Sequence, residues 1–398
     1  MRILGVNISH DSTVCELQDG EVLNLYEEER CRREKYWSPK PESACMQVLE
    51  SNPELKDVDH VVFASFDRRH TDLKVSGQMG FDRLWSRKFL EDVRLKQLSR
   101  ERMEDLHILY PEFTFKDQWD NNDEEIVDII CKEQFSADDT TSGVAPESHY
   151  RVDHHLYHAW SAVYFSPYET AHIIVWDGGG AKKYFDTHPL HQEIESIYKL
   201  DGKEVTLHYQ KLSAARAVDD LSAKYFPNEL WESCTALESE FMTDTETGAE
   251  IEFTSFPSSG MNFSNMSQAL GTDDLGRAAG KVMGMASYSN PMDNVHTQFT
   301  TAQQVEIDSF KASCKTIQKA LDLDPECKNI ILSGGYSLNC TNNYKYLSAF
   351  PDVNFFIDPV PHDGGTALGA AVQFWENLPD SEKEVYVKKS IWSDEETA

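Results

Sequence analysis

His154 and His158 stand one helical turn apart in residues 151–167, Arg-Val-Asp-His-His-Leu-Tyr-His-Ala-Trp-Ser-Ala-Val-Tyr-Phe-Ser-Pro. Leu156, Ala159, Val163 and Tyr164 recur at helical spacing, and Pro167 marks the stop. Residues four apart share a helix face, so the two imidazoles could share one divalent metal. The plainer alternative is a helix start whose histidines cap or pack. Two aspartates at the ends of other segments could add carboxylate ligands: Asp177 in Asp177-Gly178-Gly179-Gly180, and Asp363 in His362-Asp363-Gly364-Gly365-Thr366.

Those two glycine runs belong to a set of four. Gly5-Val6-Asn7-Ile8-Ser9-His10-Asp11-Ser12 follows the first strand pattern, and Ser333-Gly334-Gly335-Tyr336-Ser337-Leu338-Asn339 joins a buried strand to a helix. Glycine lets backbone N–H groups approach a phosphate, and a helix N-terminus favours the anion. Any one of these runs reads as a plain turn. Four of them, each ending a predicted element, point to nucleotide or phosphate binding.

The elements that must position these residues are α/β in pattern. Residues 2–8 read as a buried strand, and strands over 13–17 and 21–26 meet at Gln18-Asp19-Gly20, an Asp-Gly hairpin turn. A helix over 41–51 and a strand over 58–65 complete the start of a mixed α/β domain. Residues 66–149 are irregular and charged, an expected insertion, largely helical and locally basic. After the histidine helix come a strand at 171–176, hairpin-like segments through 210 and a helical stretch over 213–226. Residues 225–276 hold ten Asp or Glu and no Lys or Arg, so 227–272 reads as a second, acidic insertion with a solvated face. Helices near 275–287, 301–321, 337–348 and 364–377 and strands at 329–332 and 353–357 follow. The expected organisation is an N-terminal lobe over 1–210, a C-terminal lobe over 211–378 and a charged tail over 379–398. No sequence repeat is visible, although the halves share a strand-and-helix rhythm.

At 398 residues the chain can bury one large core or two moderate ones. No apolar run approaches the roughly 20 residues of a membrane span. The N-terminus enters a strand pattern without a signal peptide, so a cytoplasmic protein with no membrane partner is expected. Eight cysteines without CxxC spacing indicate neither a zinc ribbon nor a disulfide framework. The net charge of −31 argues against a surface coated for nucleic acid. Yet residues 68–103 hold ten Lys or Arg against five Asp or Glu. There Phe81, Trp85 and Phe89 interleave with Arg83, Arg87 and Lys88. This is either a nucleic-acid-facing helix or an amphipathic one with inward aromatics and a solvated basic face.

In order and together, the motifs resemble the O-carbamoyltransferases of the nodulation-factor and antibiotic-tailoring type, in the domain related to the tRNA threonylcarbamoyl-transferase. The similar stretches lie between residue 2 and about 375. They are Gly5-Val6-Asn7 with His10-Asp11-Ser12, Glu27-Glu28-Glu29-Arg30 with Lys35, His154-His155-Leu156-Tyr157-His158-Ala159 and Asp177-Gly178-Gly179-Gly180. Further on are Gly280-Lys281-Val282-Met283-Gly284-Met285-Ala286, Gly334-Gly335 with Leu338-Asn339, and Asp363-Gly364-Gly365 with Ala367-Leu368-Gly369-Ala370-Ala371.

The resemblance implies an α/β, two-lobed fold of the actin and sugar-kinase type, with ribonuclease-H-like cores and a nucleotide in the cleft. It implies a divalent metal held by His154, His158, Asp177 and Asp363, iron favoured over magnesium, manganese or zinc, with His155 orienting or packing. Such enzymes pass a carbamoyl group from carbamoyl-adenylate, formed from ATP and carbamoyl phosphate, to an alcohol. By position, His10 matches a residue placed for base or orienting work, Lys35 a lysine near the carbamoyl phosphate group, and Lys281 the nucleotide-cleft motif. Gly178, Gly179, Gly334, Gly335 and Asn339 are the nucleotide-contact candidates. Against these stand ordinary readings: Lys35 as part of a solvated charged stretch, and His10 as a turn residue. Relatives usually carry a C-terminal adenylate-forming domain. Its expected absence here implies either a separate adenylate-forming partner or one domain performing both steps.

The reading is an O-carbamoyltransferase whose leading acceptor is the hydroxymethyl group of a modified pyrimidine in DNA, 5-hydroxymethylcytosine, met by Arg83, Arg87 and Lys88. The alternatives are carbamoylation of a sugar or small-metabolite hydroxyl, a tRNA threonylcarbamoyl-transferase, and a non-catalytic nucleotide-binding scaffold. The wording of the histidine and Glu27-Glu28-Glu29-Arg30 motifs favours the O-carbamoyl type over the tRNA enzyme. Oligomeric state is left open.

Overall fold

The computed structural model describes residues 1–7, 11–35, 41–52, 58–64, 147–151, 154–183, 191–214, 239–245, 247–272, 278–289 and 298–383. The chain forms two compact units, residues 1–153 with 366–398, and residues 154–365.

The first unit is built on β1 (Arg2–Asn7), β2 (Thr13–Gln18) and β3 (Glu21–Glu27), followed by α1 (Glu28–Arg32), α2 (Glu42–Ser51), β4 (His60–Ala64) and β5 (Glu147–Arg151). The sheet order is β3-β2-β1-β4-β5, antiparallel through the hairpin and parallel from β1 to β5. Every residue of β1 is buried, as a central strand covered on both faces must be. The helix Gly365–Glu376 belongs to this unit from Thr366 onward. A Cβ on Gly5 would overlap the Ala367 carbonyl and press on Ala371, so these motif residues serve close strand-to-helix packing. Glu28, fully buried, accepts from the backbone N–H groups of Ser43 (3.0 Å) and Ala44 (2.7 Å), supplying a carboxylate cap to the start of α2.

The second unit begins with α3 (His154–Phe165), β6 (Thr170–Trp176), β7 (Lys182–Lys183), β8 (His191–Asp201) and β9 (Glu204–Ala214). It continues through β10 (Glu240–Thr243), β11 (Glu250–Thr254), α4 (Ser259–Ala269), α5 (Ala279–Ala286), α6 (Gln298–Leu323), β12 (Asn329–Ser333), α7 (Cys340–Ala349) and β13 (Asn354–Ile357). Its sheet runs β10-β11-β9-β8-β6-β12-β13. The segment β9-β8-β6-β12-β13 repeats the first unit's topology: three antiparallel strands, then two added in parallel. The fold is thus α/β with two cores of one design, as expected of the actin and sugar-kinase type. Alternation along β6 feeds both faces: Ile174 and Trp176 join Phe263, Val282, Leu332 and Tyr346, while Ile173 and Val175 join Ala159, Ala162 and Ile331.

The compact units divide at 153/154 and 365/366, not at the 210/211 boundary expected from the sequence. The reason is pairing: β6, β8 and β9 belong to the same sheet as β12 and β13. The described part of the acidic segment is no detached insertion either. Its β11 pairs in parallel with β9, and Phe263 and Met266 of α4 enter the core. Of the helical stretch expected over 213–226, Ser213 and Ala214 end β9 and the rest lies outside the described residues, as does most of the basic insertion. Among the described residues, no helix is long and apolar enough to cross a membrane.

Candidate metal centre

Two ends of secondary structure and one loop meet in the second unit. α3 opens with His154 and places His158 one turn on; β6 ends at Trp176 and delivers Asp177; the loop after β13 carries Asp363. One ligand atom from each of the four lies within 4.8 Å of all the others, and all four residues are buried. His154 Nε2 faces His158 Nε2 at 3.1 Å and Asp177 Oδ2 at 3.2 Å, and Asp363 Oδ1 stands 3.6 Å from both imidazoles.

Two ring nitrogens facing each other need a shared proton or a cation. Burial penalises a charged His154, but the Asp363 and Asp177 carboxylates outweigh that and push it up to about 10. Burial and the neighbouring Asp363 push the Asp177 carboxyl up, yet His154 and His158 outweigh both and hold it below the usual carboxylate range. Two imidazoles and two carboxylates, buried and convergent, fit a divalent transition metal.

The glycine motifs converge on the same aspartate. Gly179 N–H donates to Asp177 Oδ2 and Gly335 N–H to Asp177 Oδ1, each at 3.3 Å. Gly334 sits at φ +83°, and a Cβ there would overlap the Trp176 backbone. Gly178 differs: a Cβ would meet nothing within 4 Å among the described residues, so the protein itself does not demand glycine there. Ser258 Oγ, the N-cap of α4, donates to the Gly178 carbonyl at 2.8 Å and accepts from Met261 N–H.

His155 is outside the ligand set. Its Nδ1 meets Ser196 Oγ at 2.7 Å, and burial lowers its pKa to about 4, so the ring is neutral. Gln210 bridges Ser196 and Glu193, each at 3.0 Å, while Glu193 accepts from Ala181 N–H. A Cβ on Gly180 would come within 2.6 Å of His155 and 2.7 Å of Glu193. Ser196, Gln210, Glu193 and Ser258 therefore shape the loop bearing Asp177. None stands out in the sequence, because strand pairing and the start of α4 bring them there.

Asn339 is 1% exposed: its Oδ1 accepts from Asn342 N–H as the N-cap of α7, and its Nδ2 donates to Glu306 Oε2 at 3.0 Å. Its amide is committed to the protein interior. Lys281 is exposed on α5, with Nζ 3.3 Å from the Thr272 carbonyl. Lys35 is exposed in the turn after α1 of the first unit. His10, Arg83, Arg87 and Lys88 lie outside the described residues.

Two α/β sheets of one topology, the second carrying a buried two-histidine, two-aspartate cluster, define an α/β protein with a candidate metal centre. The chain belongs to the carbamoyltransferase N-terminus family, which matches residues 2–325. It is 21% identical over 96% of its length to the uncharacterized protein sll1178 of Synechocystis sp., covering 58% of that protein. It is 22% identical over 96% of its length to nodulation protein NolNO of Sinorhizobium fredii, covering 49% of that protein. The chain thus spans about half the length of these curated relatives. The crystal structure of full-length HypF in a phosphate- and nucleotide-bound form is similar over 94% of this chain and 55% of that one, with 11% identity and a TM-score of 0.47.

Proposed function

We propose that this chain transfers a carbamoyl group to an acceptor hydroxyl, using carbamoyl-adenylate derived from ATP and carbamoyl phosphate. The observation that carries the reading is the buried cluster of His154, His158, Asp177 and Asp363 in a chain of the carbamoyltransferase N-terminus family. A divalent metal bound there, iron favoured, would act as a Lewis acid toward a carbonyl or phosphoryl oxygen. His154 and His158 supply the imidazole ligands, and Asp177 is held in place by the Gly179 and Gly335 amides. The open face of Gly178 suits close approach of a phosphate to backbone. In this reading His10 takes the proton of the acceptor hydroxyl as its oxygen bonds to the carbamoyl carbon. The bond from that carbon to the adenylate phosphate oxygen breaks, AMP leaves, and Lys35 and Lys281 offset phosphate charge.

The leading acceptor is 5-hydroxymethylcytosine in DNA, supported by the basic, aromatic stretch holding Arg83, Arg87 and Lys88. The test is product mass spectrometry after incubating the chain with ATP, carbamoyl phosphate and ferrous iron. Separate reactions hold hydroxymethylcytosine DNA, free hydroxymethyl nucleotides or sugars. One added carbamoyl group on the DNA base is the expected result; the same gain on a sugar alone moves the acceptor. No product from any of them, even with pre-formed carbamoyl-adenylate, would overturn the transferase reading in favour of a nucleotide-binding scaffold. A product formed only from pre-formed adenylate assigns that step to a separate protein.

A further inference from the structure

A second cluster lies at the other end of β6. His172, near the strand's start, and Asp324 and Cys327, from the turn between α6 and β12, each offer one ligand atom, all within 4.8 Å of one another. At about 3.3 Å per strand residue, His172 is roughly 16 Å along the chain from Asp177, so the two clusters are separate. The turn is fixed by its own backbone: Cys327 N–H donates to the Asp324 carbonyl at 3.2 Å, and Glu326 N–H to Asp324 Oδ1 at 3.3 Å. Two ligand residues three apart are thereby set side by side before any metal arrives.

His172 is fully buried in a strand whose other buried residues are all apolar. Its Nε2 lies 3.3 Å from the Asp324 carbonyl oxygen, which can only accept, so the proton is on Nε2 and the lone pair on Nδ1. Among the described residues Nδ1 has no hydrogen-bond partner. A neutral ring whose other nitrogen donates to a backbone carbonyl is the form in which histidine ligates metals, and burial lowers the His172 pKa toward that form. Cys327 is a free, buried thiol. Its Sγ donates to the Asn329 carbonyl at 3.8 Å, and the Lys199 ammonium pairs with Asp324, placing a positive charge beside the carboxylate ligand.

We infer that His172, Asp324 and Cys327 form a second divalent-metal site, of the zinc class, independent of the proposed transferase chemistry. Nitrogen, sulfur and oxygen ligands together suit borderline-soft zinc better than magnesium or calcium. On binding, Cys327 gives its thiol proton to solvent, the thiolate and carboxylate balance the dication, and Lys199 turns outward. Lys199 is thus a built-in competitor.

The test is titration of the full chain with cobalt(II), whose thiolate bond gives a near-ultraviolet charge-transfer band. The His154 cluster contains no sulfur, so the band should persist in Asp363→Ala, and its loss in Cys327→Ser distinguishes this site from the other cysteines. We expect one cobalt per chain in the band, its loss in Cys327→Ser, weakening of at least tenfold in His172→Gln and tightening of about tenfold in Lys199→Met. The last variant leaves every ligand intact. Absence of the band from the wild type and from Lys199→Met, or its persistence in Cys327→Ser, would overturn the site.

Discussion

At the scale of single residues, the four-residue cluster is held together by charge balance. Removing His154 or Asp363 takes away a ligand and leaves the remaining buried charges mismatched. His154→Ala and Asp363→Ala should each lower metal affinity by more than about 100-fold, beyond the effect typical of losing an outer-shell partner. Iron content of the purified variants by plasma mass spectrometry reads this apart from the zinc-class site at His172; stoichiometric iron in both would remove the assignment. The two histidines were legible because a helical face converts a four-residue spacing into proximity. Asp177 and Asp363 were legible only as carboxylates beside glycine turns, and family resemblance joined them to the histidines. The network of His155, Ser196, Gln210 and Glu193 was not legible, since it needs the β8–β9 register and the placing of α3 against that sheet. Asn339 shows the converse: a polar residue in a conspicuous motif whose side chain caps a helix.

At the scale of elements, the acidic segment is where composition misled most. A stretch with ten acidic residues and no basic one reads as a solvated excursion, but charge on one face says nothing about the other. Strands β10 and β11 extend the sheet, and Phe263 of α4 is fully buried in the main core. Phe263→Ala should therefore cost about 3–5 kcal/mol by leaving a cavity, measured by denaturant unfolding. A change within about 0.5 kcal/mol, as for a surface substitution, would place the helix outside the cooperative core. Strand β8 carries a second exposed prediction. Burial raises the Glu195 pKa and Glu252 adds to it, while Lys211 and the hydroxyl of Thr316, at 2.9 Å, pull against them without prevailing. A raised folded-state value means Glu195 binds its proton more tightly folded than unfolded. Its stabilising contribution is thus full below the ordinary carboxylate range and is lost as pH rises through the raised value. Glu195→Gln removes that loss, so the variant should gain in Tm over wild type as pH rises from 4 to 8, by a few degrees at about 2–4 °C per kcal/mol. Thermal melts across that range check the sign, and a gain that shrinks with rising pH refutes it.

At the scale of the whole molecule, one sheet topology occurs twice without a visible sequence repeat. Strand order depends on which hydrophobic faces must be covered, and many sequences satisfy that. Hence the strand-and-helix rhythm was readable and the boundary between units was not: only sheet pairing shows that 154–210 belong with the later strands. Charge distribution is the other property of the whole chain. With a net charge of −31, the protein repels nucleic acid unless its positive residues are gathered, and residues 68–103 carry +5 while the remainder sums to −36. If that stretch meets a DNA acceptor, Arg83, Arg87 and Lys88 neutralise phosphates and release counterions, each contributing about −0.9 to the slope of log affinity against log salt. Replacing all three with Glu should then flatten the slope by about 2.7 and weaken binding most at low salt. It should leave metal content unchanged, because the four cluster residues are elsewhere in the chain. Fluorescence anisotropy on hydroxymethylcytosine DNA from 50 to 200 mM salt measures both quantities. An unaltered slope would show that the basic stretch makes no phosphate contacts, and the acceptor would then be sought among small hydroxylated molecules.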